Sequence, residues 1–292
     1  MIIGHQKQWQ FLEGIAKSDK VPHALLFSGQ EKLGKKTIAI EFIKLFFGRD
    51  IFSHPDFILV EPINNEIQIS QIRDLNWKLS LKPFSAPLKA AIIDRAHLMN
   101  QEAQNCFLKT LEEPKGRALL ILVTEYPETL FSTILSRCEI FKFYPVPKIE
   151  IENFLKNKGI AEEKIGEIVE ISQGKPGVVI DFISDEGKLG SQKQIIKDLN
   201  KIIDSDLVYR FQCAKDLSEN ENIRETLENW LAYFRNILII RLNSPQENLG
   251  EKSHYSFSKL KSIIQQILTT NFLVNTTNVN KKLALEILML EL

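Results

Sequence analysis

Short, fully apolar runs punctuate the first half of the chain. They have the length of strands and lack polar alternation, which is typical of parallel strands buried on both faces. Segments with helical spacing of apolar residues lie between them, and this alternation predicts an α/β domain with a parallel sheet. The predicted strands are 23–28, 57–60, 89–94, 118–124 and 139–143, and the predicted helices are 35–47, 69–81 and 100–111.

The pattern changes near Pro145-Val-Pro147, where small helical segments replace the strand–helix alternation. A further helix is predicted to open after the break at Gly174-Lys-Pro-Gly177. Beyond about Leu189 every apolar pattern is helical, with apolar residues at three- and four-residue spacing. The predicted parts are an α/β domain over 1–147, a small helical lid over 148–188 and a C-terminal helical bundle over 189–292.

Composition narrows the function classes. The chain has 292 residues, enough for two or three domains, and its 44% hydrophobic and 25% charged content is ordinary for a globular protein. Lys+Arg and Asp+Glu both number 37, which excludes a strongly basic nucleic-acid-binding chain. No apolar run approaches the ~20 residues that span a bilayer, and the three cysteines form no CxxC pair. We therefore expect a cytoplasmic protein without membrane contact, zinc or another metal.

The segment Gly29-Gln-Glu-Lys-Leu-Gly34-Lys35-Lys36-Thr37 follows a predicted strand and precedes a predicted helix. A P-loop has this context, because its backbone N–H groups wrap a phosphate and its lysine reaches the outer phosphates. The position of Lys36 should hold a Ser or Thr that binds magnesium, and Thr37 lies about 100° further around the helix. The loop is predicted to form without requiring a cofactor. ATP or phosphate binding is left open, and a plain glycine-rich turn is the alternative.

Two further polar residues end predicted strands. Asp94 stands where a Walker B aspartate would hold magnesium, but Arg95 follows it in place of a glutamate that polarises water, and arginine accepts no proton. The alternative role for Asp94 is a helix cap. Thr124 stands where a polar residue would meet the γ-phosphate, with a strand cap as its alternative. The pattern predicts a degenerate nucleotide site.

In order and spacing, these motifs resemble the AAA+ subunits of the bacterial DNA polymerase III clamp loader, and the delta-prime type most of all. The resemblance covers nearly the whole chain and is densest between residues 22 and 145. The motifs that carry it are Pro22-His-Ala-Leu-Leu-Phe27, the P-loop, His54-Pro-Asp56, Ala91-Ile-Ile-Asp-Arg-Ala-His97, Phe107-Leu-Lys-Thr-Leu-Glu-Glu-Pro114, Leu122-Val-Thr124 and Ser136-Arg-Cys138.

The resemblance implies a function in DNA replication. Within Ser136-Arg137-Cys138, Arg137 would be a trans arginine finger presented to the ATP site of a neighbouring motor subunit, and Thr124 would be sensor 1. The implied architecture is an AAA+ P-loop domain, a small helical lid and an all-helical collar that assembles the ring. The implied partners are the delta and gamma/tau subunits, with the sliding clamp and primer–template DNA reached through the assembled complex.

Segment 47–54 lacks the cysteines of the zinc module that delta-prime and motor subunits alike commonly carry. The chain also departs from the motor subunits of this family at three positions. They keep a Thr, a Glu and an Arg where this chain has Lys36, Arg95 and Val178. A non-hydrolytic scaffold subunit is therefore expected. The alternative within the family is an active, gamma/tau-like ATPase, against which Arg95 speaks.

An alternative outside the family is an unrelated P-loop enzyme such as a small-molecule kinase. Such an enzyme would need an arginine-rich lid, whereas this chain ends in about a hundred residues of helical bundle. Lysines could also form a face toward DNA, with an ordinary solvated surface as the alternative. The lysines considered are Lys78, Lys82, Lys89 and Lys109.

Overall fold

The computed structural model describes residues 2–18, 21–48, 50–113, 116–185, 187–220, 222–243, 255–277 and 279–292. The chain divides into two compact units, Met1–Ile180 and Asp181–Leu292. The predicted separation of a lid over 148–188 from its neighbours is a different division and stays a prediction.

The first unit is built on one sheet of five strands in the order β2-β3-β4-β1-β5. Every pairing is parallel, so the predicted parallel sheet is confirmed. The strands are β1 Ala24–Ser28, β2 Phe57–Val60, β3 Lys89–Ile93, β4 Ala118–Thr124 and β5 Glu139–Lys142.

Helices cover both faces of this sheet, which is why the strands show no polar alternation. In β1, Leu25 and Phe27 pack on one side, while Leu26 packs on the other. The helices on the first side are α1 Gln6–Lys17 and α2 Lys35–Phe47, and those on the second are α3 Ile69–Ser80 and α4 Gln101–Glu112. Because proline cannot continue a helix, the sequence predicts that Pro114 ends α4, but Pro114 lies outside the described residues.

Short helices follow β4 in the chain. They are α5 Ser132–Leu135, α6 Lys148–Asn157, α7 Glu162–Ser172 and α8 Pro176–Ser184, and 3₁₀ turns lie at 96–98 and 127–129. The first unit ends within α8, at Ile180. The predicted start of α8 after Gly177 is wrong by two residues, because proline fits the first turn of a helix and α8 begins at Pro176.

Because all strands run the same way, their ends gather at two opposite edges. The carboxyl edge carries the P-loop after β1, Asp94 after β3 and Thr124 at the end of β4. The amino edge carries Asp56 before β2 and Arg137 before β5. Candidate nucleotide-site residues and the candidate finger thus lie at different edges.

The second unit contains the helices α9 Gly187–Ile203, α10 Leu207–Ser218, α11 Ile223–Asn243, α12 Phe257–Thr276 and α13 Lys281–Glu291. Trp230 and Phe234 of α11 are fully buried at its centre, among apolar residues of the other helices. Within the part of the chain that the structure describes, no helix has the length and apolar character needed to cross a membrane.

Candidate functional site

The P-loop links β1 to α2 and needs its glycines. Gly29 has φ 145°, and a Cβ there would collide with the carbonyl oxygen of Phe143. Gly34 has φ 88° and precedes the first residue of α2. Both conformations lie in the region that favours glycine. The loop therefore forms as the spacing of its residues predicts.

The chain's own groups bond to the carbonyls of this loop. Lys35 is buried, and its ammonium donates to the carbonyl oxygens of Gly29, at 2.6 Å, and Gln30. Lys32 O accepts from the backbone N–H of Gly177 at 2.7 Å. The loop lysine thus turns inward and stabilises the loop itself.

Position 36 differs most clearly from the corresponding position of a magnesium-binding P-loop. Its ammonium lies 2.6 Å from Glu61 Oε1 and 3.0 Å from Asp94 Oδ2. Partial burial lowers the pKa of Lys36, but the hydrogen bonds and charges of Glu61 and Asp94 outweigh it and raise this pKa above its usual value. Thr37 is exposed on the next position of the helix. Because an ammonium replaces the Ser or Thr hydroxyl and already binds Asp94, these residues do not fit magnesium.

The remaining positions of the nucleotide site offer no base for hydrolysis. Arg95 is exposed, and its backbone N–H donates to Asp94 Oδ1 at 3.0 Å. Thr124 is buried, with its hydroxyl 3.2 Å from His97 Nδ1 and accepting from the N–H of Tyr126. The hydroxyl therefore closes the turn after β4, as the strand-cap alternative expects, while lying at the carboxyl edge. The apolar Val178 is buried and supplies no charge.

Arg137 lies at the end of the turn between α5 and β5. Its guanidinium donates to Thr133 O at 3.0 Å and lies 2.8 Å from Glu112 Oε1. About a third of its side chain remains exposed. Two surface contacts thus orient the guanidinium.

The residues flanking Arg137 support the turn. The Ser136 hydroxyl donates to the carbonyl of Thr133 at 3.1 Å. Cys138 belongs to the core, and burial raises the pKa of its thiol to about 12, so the thiolate is not populated at neutral pH. Among the three predicted motif residues, only Arg137 offers a charged group to a partner.

Arg137 lies far from its own P-loop. The strand register pairs Glu139, two residues after Arg137, with Leu25 of β1, whereas the P-loop begins after Ser28. Three residues of strand, roughly 10 Å, separate these levels, and the side chain of Arg137 points to Glu112 at the amino edge. The guanidinium therefore lies at the opposite edge of the sheet from the P-loop of its own chain.

Sequence reasoning assigned no role to three acidic residues that form ion pairs or hydrogen bonds at the two edges, although Asp56 and Glu112 lie in motifs that carry the family resemblance. Glu61 directly follows β2 and pairs with Lys36, Glu112 ends α4 and pairs with Arg137, and Asp56 accepts bonds from a neighbouring loop. Asp56 is also 3.6 Å from the ammonium of Lys89. Lys89 is buried, so for this lysine both alternatives, a face toward DNA and a solvated surface, are wrong. The position of Glu61 immediately after a strand was the one local signal that could have identified it.

The chain is similar to known proteins in both sequence and structure. Residues 4–147 match the family model described as "DNA polymerase III, delta subunit". A DNA polymerase III subunit delta' from Bacillus subtilis (strain 168) is 25% identical over 279 residues, which cover 86% of this chain and 84% of the relative. The DNA polymerase III subunit tau of the same organism is 26% identical over 295 residues, covering 86% of this chain and 52% of the relative.

Among solved structures, a DNA polymerase III gamma subunit-related protein from Thermotoga maritima MSB8 has a TM-score of 0.51 at 21% identity, with 96% of each chain covered. At that identity the likeness shows the fold, and it confirms the predicted AAA+ architecture with a C-terminal helical region. The predicted family resemblance is confirmed as well. Over residues 4–147 the chain belongs to the DNA polymerase III delta-subunit family, and along most of its length it is similar to delta-prime subunits of the bacterial clamp loader.

Proposed function

We propose that this delta-prime-type subunit is a non-hydrolytic member of the loader ring that supplies Arg137 in trans to the ATP site of a neighbouring motor subunit. The observation that carries the proposal is the position of the Arg137 guanidinium at the amino edge of the sheet, opposite its own P-loop. The proposed partners are delta and gamma/tau subunits in the cytoplasm. The clamp and primer–template DNA are reached through the assembled complex.

A finger must be charged, forked and easily released from its resting contacts. Arginine meets the first two needs, since its planar donors match phosphate oxygens and stay protonated at working pH. The resting contacts of Arg137 with Glu112 and Thr133 are surface contacts, and exposed ion pairs contribute only ~0.2–1 kcal/mol. Exchange of Glu112 for a neighbour's γ-phosphate is therefore inexpensive.

The chain's own nucleotide site supports the non-hydrolytic half of the proposal. Arg95 replaces the water-polarising glutamate, and the Lys36 ammonium already contacts Asp94. The isolated chain should release phosphate from ATP no faster than background. Turnover at motor-like rates, lost on Lys35→Ala, would favour an active gamma/tau-like ATPase instead.

The test of the finger is reconstitution of the complex with Arg137→Ala, followed by measurement of clamp- and DNA-stimulated ATPase and clamp loading. Fingers supplied in trans contribute ~10³–10⁵ in rate in GTPases, or ~4–7 kcal/mol of barrier. The ring should therefore lose the contribution of the one site that borders this subunit. Arg137→Lys should restore little, because an ammonium lacks the fork.

The matched control is Arg117→Ala, which removes another exposed arginine at the amino edge, just before β4. This control should leave ATPase and assembly unchanged. Arg137→Ala should also assemble normally, because surface substitutions change stability by about ±0.5 kcal/mol or less. Unchanged ATPase with Arg137→Ala in an assembled ring would reduce Arg137 to a surface charge.

A further inference from the structure

We propose that the ammonium of Lys36 is a built-in replacement for a divalent cation, held by Asp94 and Glu61, and that it makes this carboxyl-edge site refuse magnesium. These three residues lie at the carboxyl edge, opposite Arg137. Removal of the ammonium should create a divalent-cation site there.

Strand pairing explains why a cation is needed here. β2 and β3 are neighbours, and their last residues, Val60 and Ile93, are register partners. Glu61 and Asp94 follow them directly, so two carboxylates meet at the same level of the sheet edge. Asp94 is only 9% exposed, and a buried charge needs a compensating partner.

Lys36 supplies that charge from the first turn of α2. Its distances of 2.6 Å to Glu61 and 3.0 Å to Asp94 are those of charge-assisted hydrogen bonds. A divalent cation at Asp94 would also be repelled by an ammonium only a few ångströms away. The two carboxylates therefore form a cation site whose occupant is covalently part of the protein.

The direct test measures Mn²⁺ uptake by the full chain, without nucleotide, from the loss of the free-ion signal in electron paramagnetic resonance. Lys36→Thr replaces the ammonium with a hydroxyl that suits a hard cation. It should bind one Mn²⁺ with a Kd of about 10⁻⁴–10⁻³ M, as in weak oxygen-ligand sites, at least tenfold tighter than the wild type. Excess Mg²⁺ should compete for the same site.

The matched control is Lys44→Thr on the same helix. Lys44 pairs with Glu41 at 2.7 Å, and its side chain is 31% exposed against 35% for Lys36. This control should bind Mn²⁺ no better than the wild type. Adding Asp94→Asn to Lys36→Thr should abolish the new binding.

If Lys36→Thr does not fold, Lys36→Met keeps the stem of the side chain, removes its charge and should also gain Mn²⁺ binding. The proposal is overturned if the wild type binds Mn²⁺ as tightly as the folded variants. It is also overturned if the gain persists in the Asp94→Asn background or equals that of Lys44→Thr. A wild-type site tighter than 10⁻³ M that Asp94→Asn removes would overturn it without any Lys36 variant.

Discussion

Asp56 clamps the loop between α3 and β3, and Asp56→Asn should loosen this loop measurably. The carboxylate is fully buried. It accepts backbone N–H bonds from Phe84 at 2.8 Å, Ser85 at 3.0 Å and Ala86 at 3.2 Å. The ammonium of Lys89 lies 3.6 Å from its other oxygen. One charged group thus orders three consecutive residues at the amino edge.

The free-energy cost expected for Asp56→Asn follows from these contacts. Hydrogen bonds to charged groups contribute about 1.5–3 kcal/mol each, but asparagine retains one oxygen and recovers part of this. Its amide group must then face either the loop's N–H donors or the Lys89 ammonium, both of which are donors. A net loss of about 2–3 kcal/mol follows from one lost charge and one misplaced donor. Since 1.4 kcal/mol is tenfold, local protection should fall roughly 30–150-fold.

The assay is residue-resolved amide hydrogen exchange on Phe84, Ser85 and Ala86, because it reports local opening rather than unfolding of the whole chain. Asp74→Asn is the matched control, since Asp74 forms an exposed i,i+4 pair with Lys78 on α3. That control should change protection of the loop amides less than threefold. An equal effect of the two variants would refute the clamp.

Acid should reproduce the effect in the wild type. Burial raises the pKa of Asp56, but the backbone hydrogen bonds from the loop and the charge of Lys89 outweigh it and lower this pKa below its usual value. A carboxyl with a lowered folded pKa stabilises the fold above its unfolded pKa of about 3.9, and that stabilisation is lost as pH falls through the folded pKa. The difference in protection of the loop amides between wild type and Asp56→Asn should therefore be constant above about pH 5 and shrink below about pH 4.

Three further predictions concern the finger and the second unit. Glu112→Gln breaks an exposed ion pair with Arg137 and should raise stimulated ATPase of the complex by at most about fivefold, whereas a large fall would make Glu112 a partner in catalysis. Arg210→Met removes a guanidinium that donates to four backbone carbonyls and should lower the free energy of unfolding in urea by about 2–4 kcal/mol, and a loss below 0.5 kcal/mol would contradict this. Ile287→Glu combined with Leu290→Glu charges an exposed apolar stripe of α13. This double variant should abolish co-elution with the partner subunits while the circular dichroism spectrum stays unchanged, and retained co-elution would exclude this face from the interface.

The strands β1 to β4 were predictable because each is largely buried and reads as a nearly uninterrupted apolar run. β5 lies at the edge of the sheet and is mostly exposed, so this reason does not apply to it. All five differ from expectation by no more than one residue at either end, and 57–60 and 118–124 agree at both ends. The P-loop was predictable for a similar reason, since its glycines are required by local backbone geometry. Local physics determines these features, so local sequence reports them.

The contacts between elements were not predictable in the same way. Glu61 lies beside Asp94 because β2 pairs with β3, and no local pattern encodes strand order. Lys89 was assigned to the surface because lysine is rarely buried, yet a buried partner, Asp56, changes the balance. Such errors arise where a charged residue is buried because a residue far away in the sequence neutralises its charge.

The P-loop also connects separate parts of the first unit through its hydrogen bonds. Burial lowers the pKa of His5, which favours a neutral ring, and its Nε2 lies 2.9 Å from Leu33 O. Gly177 bonds to Lys32, and Lys35 bonds to two carbonyls of the loop. The loop therefore joins the N-terminal segment, the sheet and the start of α8. Lys35→Ala would leave those carbonyls without their donor. If that variant failed to assemble, the cause would be a destabilised loop rather than the loss of ATP hydrolysis.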